Sequence, residues 1–474
     1  MMARGKKNES ALTPEGKLAQ ALVPAWEQPY KVPKNWFWSY IRSGYEVTSS
    51  KRVHKDDWIS EGIPFYRTRE LVKLSDQGYV DNELFISEEQ YEKYKSAYGV
   101  PKINDLLISG VGTIGVPYIV DSEEKFYFKD GNIIWFKNKG FFLPKYIYYL
   151  YKSLFMDNQI HEMSSGTTVD TYTIINANNT MVPVPPIAEQ QRIVDRIEYL
   201  FSKLDEAKER AQSVLDGFET RKAAILHKAF TGELTAKWRA NKNLSANNQF
   251  NDTDEYPYTI PNGWNAVILG ELVQIRRGAS PRPIKAFITD SVDGINWIKI
   301  GDADGGKYIT AIKEKVTPSG AQKSVYVEKG TLLLSNSMSF GHPYILEVDG
   351  CIHDGWLAIL PSVYFDKEFL YYALLFSNWY FEQVAVGTAV RNLNSERVAG
   401  TPLPICSIEE QKEIVRILDN LYSKEQRAKE AAEAVLEQID LLKKSILARA
   451  FRGELGTNDP NEESAVELLK EVIC

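Results

Sequence analysis

"HKAFTGEL" (His227–Leu234) and "ARAFRGEL" (Ala448–Leu455) are nearly the same eight residues, met twice in one chain of 474. They lie 448 − 227 = 221 residues apart, far beyond the period of a solenoid repeat, so the symmetry is at the scale of whole domains. The same offset relates "IAEQQRIVDRI" from Ile187 to "IEEQKEIVRIL" from Ile408, and Gly166-Thr167 to Gly387-Thr388. Upstream the offset drifts, as it does when loops gain and lose residues. "LLISGVGTIGVPYIV" matches "LLLSNSMSFGHPYIL" at 226 through Pro117 and Pro343, and "QPYKVPKNW" matches "YPYTIPNGW" at 228 through Trp36 and Trp264. One unit therefore occurs twice, entered through Pro-Tyr-x-x-Pro-x-x-Trp and left through Gly-Glu-Leu.

Between the last strand-like run and each exit, the apolar residues keep a heptad. In the first copy Ile193, Leu200, Ala207 and Val214 share one column and Ile197, Leu204, Ala211, Phe218 and Ile225 the other. In the second copy the columns are Ile414, Leu421, Ala428, Val435 and Leu442, and Leu418, Ala432, Ile439 and Ile446, with Glu425 interrupting the second. Pro185-Pro186 and the capping-box pattern Ser407-x-x-Glu410 signal the helix starts, and Gly232 and Gly453 the stops. Each helix spans about 40 residues, or about 60 Å. Neither can bury its seam alone, so the two are expected to pack as a coiled coil, with Ala207, Ala211, Ala428 and Ala432 allowing close approach. Glu425 is a candidate to face a partner's helix.

The segments ahead of the helices mix short apolar strands ("DLLISG", "VPYIV", "NIIWFK", "TLLLS", "PYILEV", "WLAIL") with one amphipathic helix each, "PKYIYYLYKSLF" and "KEFLYYALLFSNWYF". The fold class is α+β: two similar globular domains joined by two long antiparallel coiled-coil helices, an internal pseudo-twofold repeat. The chain divides into an N-terminal extension (1–27), a first domain (28–185), a first long helix (186–234), a polar linker (235–255), a second domain (256–406), a second long helix (407–455) and a tail (456–474). The tail ends in "SAVELLKEVI", suited to a short docking helix. Pairing Gly44 with Gly278 makes the stretch after Trp36 six residues shorter (14 − 8) than the stretch after Trp264, which leaves the first entry strand open.

Composition is that of a globular protein. Three scattered cysteines, Cys351, Cys406 and Cys474, argue against a disulfide framework and for a reducing compartment. The basic start "MMARGKKNES" has no apolar core behind it and no later run is long enough to span a bilayer, so the chain reads as cytoplasmic, with no membrane partner. A formal net charge of −7 disfavours indiscriminate binding to polyanions and requires any nucleic-acid contact to come from local basic patches. "SGVGTIG" carries Gly110, Gly112 and Gly115 as G-x-G-x-x-G, but Val116-Pro117-Tyr118 follows where a dinucleotide site needs a helix. A tight hairpin connection fits better. The five histidines lack ligand spacing, and no P-loop, zinc-protease or serine-nucleophile motif occurs. No catalytic, cofactor or metal residues are assigned.

The residues that suit nucleic acid cluster early in each copy. Arg42, Lys51, Arg52, Lys55, Arg67 and Arg69 stand in the first, and Arg276, Arg277, Arg282, Lys285 and Lys299 in the second, where Lys299 falls on Arg67. Guanidinium forks suit guanine edges and phosphates, and lysines supply point charge. Single residues of this kind are more often just solvated. Two further surfaces are candidates: the hairpin connections, with Ser109, Thr113, Asn336 and Ser337, and the Gly-Thr loops, with Thr167 and Thr168 against Arg391 and Asn392.

Over nearly its whole length the chain resembles the DNA specificity subunit of type I restriction-modification systems. The likeness rests on "PYKVPKNW" and "PYTIPNGW" at the domain entries, "PPIAEQQRIV" and "ICSIEEQKEIV" at the helix starts, and "AFTGELTAKWR" and "AFRGEL" at the helix ends. It implies two target-recognition domains that each read half of a split, asymmetric site on double-stranded DNA, and an antiparallel coiled coil that fixes the distance between them; if the domains sit in successive groove segments of one duplex face, that distance is expected to be about one helical turn or a little more. It also implies two methyltransferase subunits carried on the helices, with S-adenosylmethionine bound there, and restriction subunits using ATP and Mg where present. This chain is then non-catalytic. The rival readings are a self-contained DNA methyltransferase or nuclease, and a coiled-coil adaptor whose globular ends bind proteins. Exchange of residues 28–185 for another member's domain is expected to change one half of the methylated motif and leave the other intact; a change in both halves, read by methylation mapping, overturns the modular reading.

Overall fold

The computed structural model describes residues 13–164, 170–242, 253–336, 340–385 and 392–473. They form two compact units, Met1–Ala211 with Ala434–Cys474, and Gln212–Glu433. The long helices are thus not segments separable from the domains. Each unit takes one copy's globular domain, the start of that copy's helix and the end of the other copy's helix.

The repeated motifs explain this exchange. In the first unit the indole N–H of Trp36 donates to Glu189 at 2.6 Å, both residues buried, and Asn458 donates to the same carboxylate at 2.9 Å. In the second, Trp264 donates to Glu410 at 3.0 Å, joined by Thr235 at 2.7 Å and Arg239 at 2.5 Å. The glycine of each exit then closes on the proline of the other copy's entry: a Cβ on Gly453 would lie 2.4 Å from Pro33, and one on Gly232 would lie 2.5 Å from Pro261. Both glycines have positive φ, +74° and +75°, which turns the chain back after the helix. Carbonyls of the exit phenylalanines, Phe451 and Phe230, accept from Tyr30 and Tyr256. The glutamines after the two glutamates tie the starts of the long helices to the domains, Gln190 accepting from Leu143 N and Gln411 from Asp366 N.

Strands of the first unit are β1 (Phe37–Tyr40), β2 (Tyr45–Thr48), β3 (Ile63–Tyr66), β4 (Phe85–Ile86), β5 (Leu106–Ser109), β6 (Pro117–Ile119), β7 (Tyr127–Phe128), β8 (Ile133–Asn138) and β9 (Met181–Val184). They pair as β1-β9, β2-β8-β5-β6 and β4-β3-β7. In the second unit, β10 (Asn265–Ile268), β11 (Ile275–Arg277), β12 (Ile295–Ile298), β13 (Tyr308–Ile309), β14 (Lys315–Val316), β15 (Val325–Val327), β16 (Leu332–Ser335), β17 (Pro343–Leu346), β18 (Gly350–Ile352), β19 (Trp356–Ile359) and β20 (Pro402–Ile405) pair as β10-β20, β11-β19-β16-β17-β13 and β14-β12-β18-β15. β5, β16 and β19 are buried along their whole length, which is why they read as unbroken apolar runs and not as alternating ones. The "one amphipathic helix each" is in fact two in succession, Pro144–Tyr151 and Leu154–Ser164, then Lys367–Phe376 and Asn378–Val384.

Register settles the entry strands. Val47 pairs with Phe136 as Ile275 pairs with Ile359, while Leu106 and Leu332 flank those same two positions. Val47 and Ile275 are therefore equivalent, at 275 − 47 = 228, the offset of Trp36 and Trp264. No residues are missing between entry and strand; Gly44 is simply not the counterpart of Gly278.

Within each unit the helices run antiparallel. Asp205 meets Lys443 at 2.6 Å and Arg192 meets Glu462 at 2.6 Å in the first unit. Arg221 meets Glu425 at 2.8 Å and Arg239 meets Glu410 in the second. Glu425 thus faces this chain's own first helix, not a partner's. The second helix is continuous over Ile408–Ala450, whereas the first breaks at Gly217 into Ile187–Asp216 and Phe218–Phe230. Arg221 lies across Gly217 to reach Val214 O and Glu425, and a Cβ there would sit 2.3 Å from its Nη1. Of the two columns, the one through Ile197, Ala211, Phe218, Leu418, Ala432 and Ile439 is buried. The other rotates outward in the second helix, leaving Val435 and Leu442 exposed while Leu436 and Lys443 turn in. A straight α-helix drifts about 20° per heptad, enough to move a column off the seam over six turns.

The start of the linker is ordered as the helix Ala236–Lys242 because Arg239 is held by Glu410 and by Gly232 O. In the first unit the tail forms the helix Ala465–Ile473, which packs its Ala465 and Leu469 into the core beside Leu18 and Ala21 of the helix Pro14–Ala21. Substituting Glu410→Gln strands the nearly buried Arg239 and is expected to cost about 3 kcal/mol; Glu189→Gln strands no cation and is expected to cost about 1 kcal/mol. Burial raises the Glu189 carboxyl above its usual 4.5, against hydrogen bonds from Asn458 and Trp36, so its stabilisation is greatest at low pH and falls as pH rises through the folded value. Urea midpoints are therefore expected to show the Glu189→Gln penalty shrinking as pH is raised.

Candidate nucleic-acid interface

β3 and β7 run parallel in the first unit, as do β12 and β18 in the second. At the end of each leading strand the chain turns on a cationic N-cap residue. Arg67 N donates to Glu70 at 3.0 Å, and Lys299 N donates to Asp302 at 2.8 Å. Strand pairing makes Tyr66 and Ile298 equivalent, and likewise Phe128 and Ile352. The residues that follow, Arg67 with Lys129 and Lys299 with His353, occupy matching places. Each pair lines a cleft.

The first cleft, about 580 Å³, is bounded by Arg67, Thr68, Arg69, Lys73, Gly112, Thr113, Lys129 and Asn132. Its guanidinium groups are ordered by acid. Arg67 gives Nε and Nη2 to Glu70 at 3.0 and 2.7 Å, and Arg69 gives Nε to Glu70 at 3.0 Å and Nη2 to Glu83 at 2.6 Å. Glu70 is buried; burial works to raise its pKa, but the bonds from Arg67 and Arg69 prevail and hold it below the usual carboxylate range. Ser49 and Ser50 tie the preceding loop to Ile133 O and Phe128 O, on either side of the cleft residues Lys129 and Asn132. Lys51, Arg52 and Lys55 continue that loop and are exposed, with Lys51 Nζ 5.0 Å from the Tyr98 ring centroid.

The second cleft, about 520 Å³, brings together Ser280, Arg282, Lys285, Trp297, Lys299, Glu314 and His353. Asp354 orders it, accepting from Ser280 Oγ at 2.6 Å and Arg282 Nη2 at 3.3 Å, with His353 Nε2 2.9 Å from its carboxylate. His353 Nδ1 accepts from Gly355 N, which fixes the proton on Nε2. Burial tends to raise the Asp354 pKa, but the Ser280 bond and the neighbouring His353 lower it overall. Lys299 Nζ pairs with Glu314.

The remaining candidates divide sharply. Arg42 is committed within the chain, to Asn178 O, Asn179 Oδ1 and Gln20 O, and lies away from the cleft-lining residues. Ser109 is buried and accepts from Val116 N at 2.8 Å, closing the β5–β6 connection. Gly110, Gly112 and Gly115 thus belong to a hairpin, not to a strand-to-helix turn. Asn336 is also buried, donating to Asp354 O at 2.9 Å, so it fixes the main chain under the second cleft. Arg276 and Arg277 are exposed on β11, at the edge of its sheet, and Asn392 is exposed beside Leu393, whose N–H donates to Asn336 O. Thr167, Thr168, Ser337 and Arg391 lie outside the described residues. The structure adds Thr68, Lys73, Lys129, Asn132, Ser280 and His353. Lys73 had a readable signal, standing four residues after Arg69 on one helix face. Lys129 and His353 had none, because only the parallel pairing brings them to the clefts.

The family model for the type I restriction modification DNA specificity domain matches this chain twice, over residues 45–215 and 261–438. The EcoBI specificity subunit of Escherichia coli is 26% identical, over 91% of this chain and 89% of its own length. The EcoDI specificity subunit, also from Escherichia coli, is 25% identical over 85% and 93%. The crystal structure of the HsdS subunit from Thermoanaerobacter tengcongensis shares the fold, with a TM-score of 0.66 and 20% identity over 90% of this chain and all of that one. Replacing Lys73 and Lys129 by alanine is expected to weaken binding to any duplex about equally and to flatten the slope of log affinity against log salt by about one per lysine. Arg42→Ala is expected to leave that slope unchanged in the same gel-shift salt series.

Proposed function

The chain belongs to the type I restriction-modification DNA specificity family, and on that premise we propose that its two clefts are the reading heads for the two halves of a split, asymmetric DNA site. The subunit is the recognition component of its complex and not an enzyme. What carries the reading is the equivalence of the clefts: the same position after the same parallel strand pair is basic in both units, while nearly everything around it differs. Lys299 stands where the first unit has Arg67, and each cleft adds two further cations from a different element, Arg69 and Lys73 in the first and Arg282 and Lys285 in the second. Lysines and arginines at the rims suit phosphates and set register, and oriented donors within suit base edges. Unequal heads imply unequal half-sites.

Methyl transfer then belongs to partner subunits, two in number, which hold S-adenosylmethionine and dock on the paired helices, with ATP-using restriction subunits joining where they exist. The exposed apolar residues Val435, Leu441 and Leu442 on the second helix favour such docking, since a seam residue turned to solvent needs cover. A cytoplasmic setting suits Cys351 and Cys406, both buried and unpaired; among the described residues no helix is long and apolar enough to cross a membrane.

Mapping methylated adenine in the source genome tests the proposal. The expected result is a motif of two unlike blocks with a fixed gap, lost on deletion of this chain's gene. Methylation of one uninterrupted block, or transfer of methyl groups to DNA by the purified chain alone, overturns it.

A further inference from the structure

Behind the cationic lining of each cleft stands an acid that binds lining residues without itself lining the cleft: Glu70 holds Arg67 and Arg69, and Asp354 holds Ser280 and Arg282. A simple phosphate clamp has no use for such groups. Glu70 is 2% exposed at its side chain and carries two guanidinium groups at once. Asp354 gathers a hydroxyl, an imidazole and a guanidinium. The two acids are not relics of one ancestral residue: Glu70 follows Arg67 on the leading strand's helix, whereas Asp354 follows His353 on the trailing strand. The two clefts have reached the same arrangement from opposite walls.

The geometry shows what the acids do to their partners. Arg67 is gripped along its Nε–Nη2 edge, and its Nη1 has no partner among the described residues. The Nη1–Nη2 end of the fork is left to the cleft in one fixed plane, and that end matches two adjacent acceptors such as guanine O6 and N7. An arginine without such a grip has many rotamers and reaches phosphate and base alike. In the second cleft the donor that Asp354 holds is Arg282, through Nη2 at 3.3 Å, while the His353 ring, its tautomer set by Gly355 N, stands between Asp354 and Trp297 with its Nε2 2.9 Å from the carboxylate and its centroid 5.9 Å from the indole. Asn336 and Ser280 in turn hold the Asp354 main chain and carboxylate.

We propose that Glu70 and Asp354 are positioning residues for sequence discrimination, each aiming the base-reading donors of its own cleft while opposing unselective attraction to DNA. The inference rests on the clefts being the reading heads. It assigns a direction to two effects that normally move together: removing either acid makes binding less selective and, by deleting a negative charge near the phosphates, no weaker in bulk.

The test uses the full chain assembled with its methyltransferase subunits and three labelled duplexes: the methylated motif with both blocks intact, the same duplex with one block scrambled, and one with the other scrambled. Wild type must first discriminate all three; a wild-type complex that does not would overturn the reading-head proposal itself. Given that, Glu70→Gln is expected to lower discrimination at one block by about tenfold, the scale of a lost bidentate contact, with affinity for scrambled DNA equal or higher. Asp354→Asn is expected to do the same at the other block only. Arg67→Ala combined with Glu70→Gln is expected to lose little more than Arg67→Ala alone, since the acid acts through the arginine. The outer acid offers a variant remote from the core: Glu83→Gln, at an exposed position, is expected to give a smaller loss at the Glu70 block. Unchanged discrimination in both acid variants, or a parallel fall in affinity for all three duplexes, would sink the inference.

Discussion

A buried indole N–H donating to a buried carboxylate, made twice, is the interaction on which the architecture turns. Leaving Glu189 or Glu410 without partners inside the protein is costly, and the entry tryptophans are the groups that reach them. The partners are supplied by both copies: Asn458 beyond the second exit completes Glu189, and Thr235 and Arg239 beyond the first exit complete Glu410. Each carboxylate is therefore satisfied only when the end of one copy has closed on the beginning of the other. Gly453 on Pro33 and Gly232 on Pro261 make the same statement in van der Waals contact.

The crossing of copies has a consequence for the helices. A long helix whose two ends are each fixed in a junction has little freedom to slip in register, so its seam tolerates imperfect side chains. Glu425 in the second seam is acceptable because Arg221 meets it, and Arg221 reaches it because Gly217 offers no side chain to block its path. The outward turn of Val435 and Leu442 is tolerated on the same terms.

The clefts obey a different constraint. They sit at the ends of short parallel strand pairs, where successive loops converge and can vary without disturbing the sheet. Only the cationic N-cap position is common to both, held by Glu70 in one unit and Asp302 in the other. Around it one cleft uses a helix bearing Arg69 and Lys73, and the other a loop bearing Arg282 and Lys285. A shared scaffold with divergent rims is what the proposed pair of unequal reading heads requires.

By itself the sequence determined the duplication, the long helices, most central strands and the basic character of both early regions. These are carried by local pattern: collinear motifs, heptad spacing, unbroken apolar runs of three or more residues. It also made Arg67 and Lys299 equivalent, because their neighbourhoods align. Only the tertiary structure decided which end meets which entry, since a repeated Gly-Glu-Leu does not reveal the proline it will close upon. It alone separated Arg42, Ser109 and Asn336, spent on internal hydrogen bonds, from Lys129, which parallel pairing delivers to the first cleft. A side chain's chemistry is written in the chain, but whether its donors are already satisfied depends on carbonyls and carboxylates many residues away.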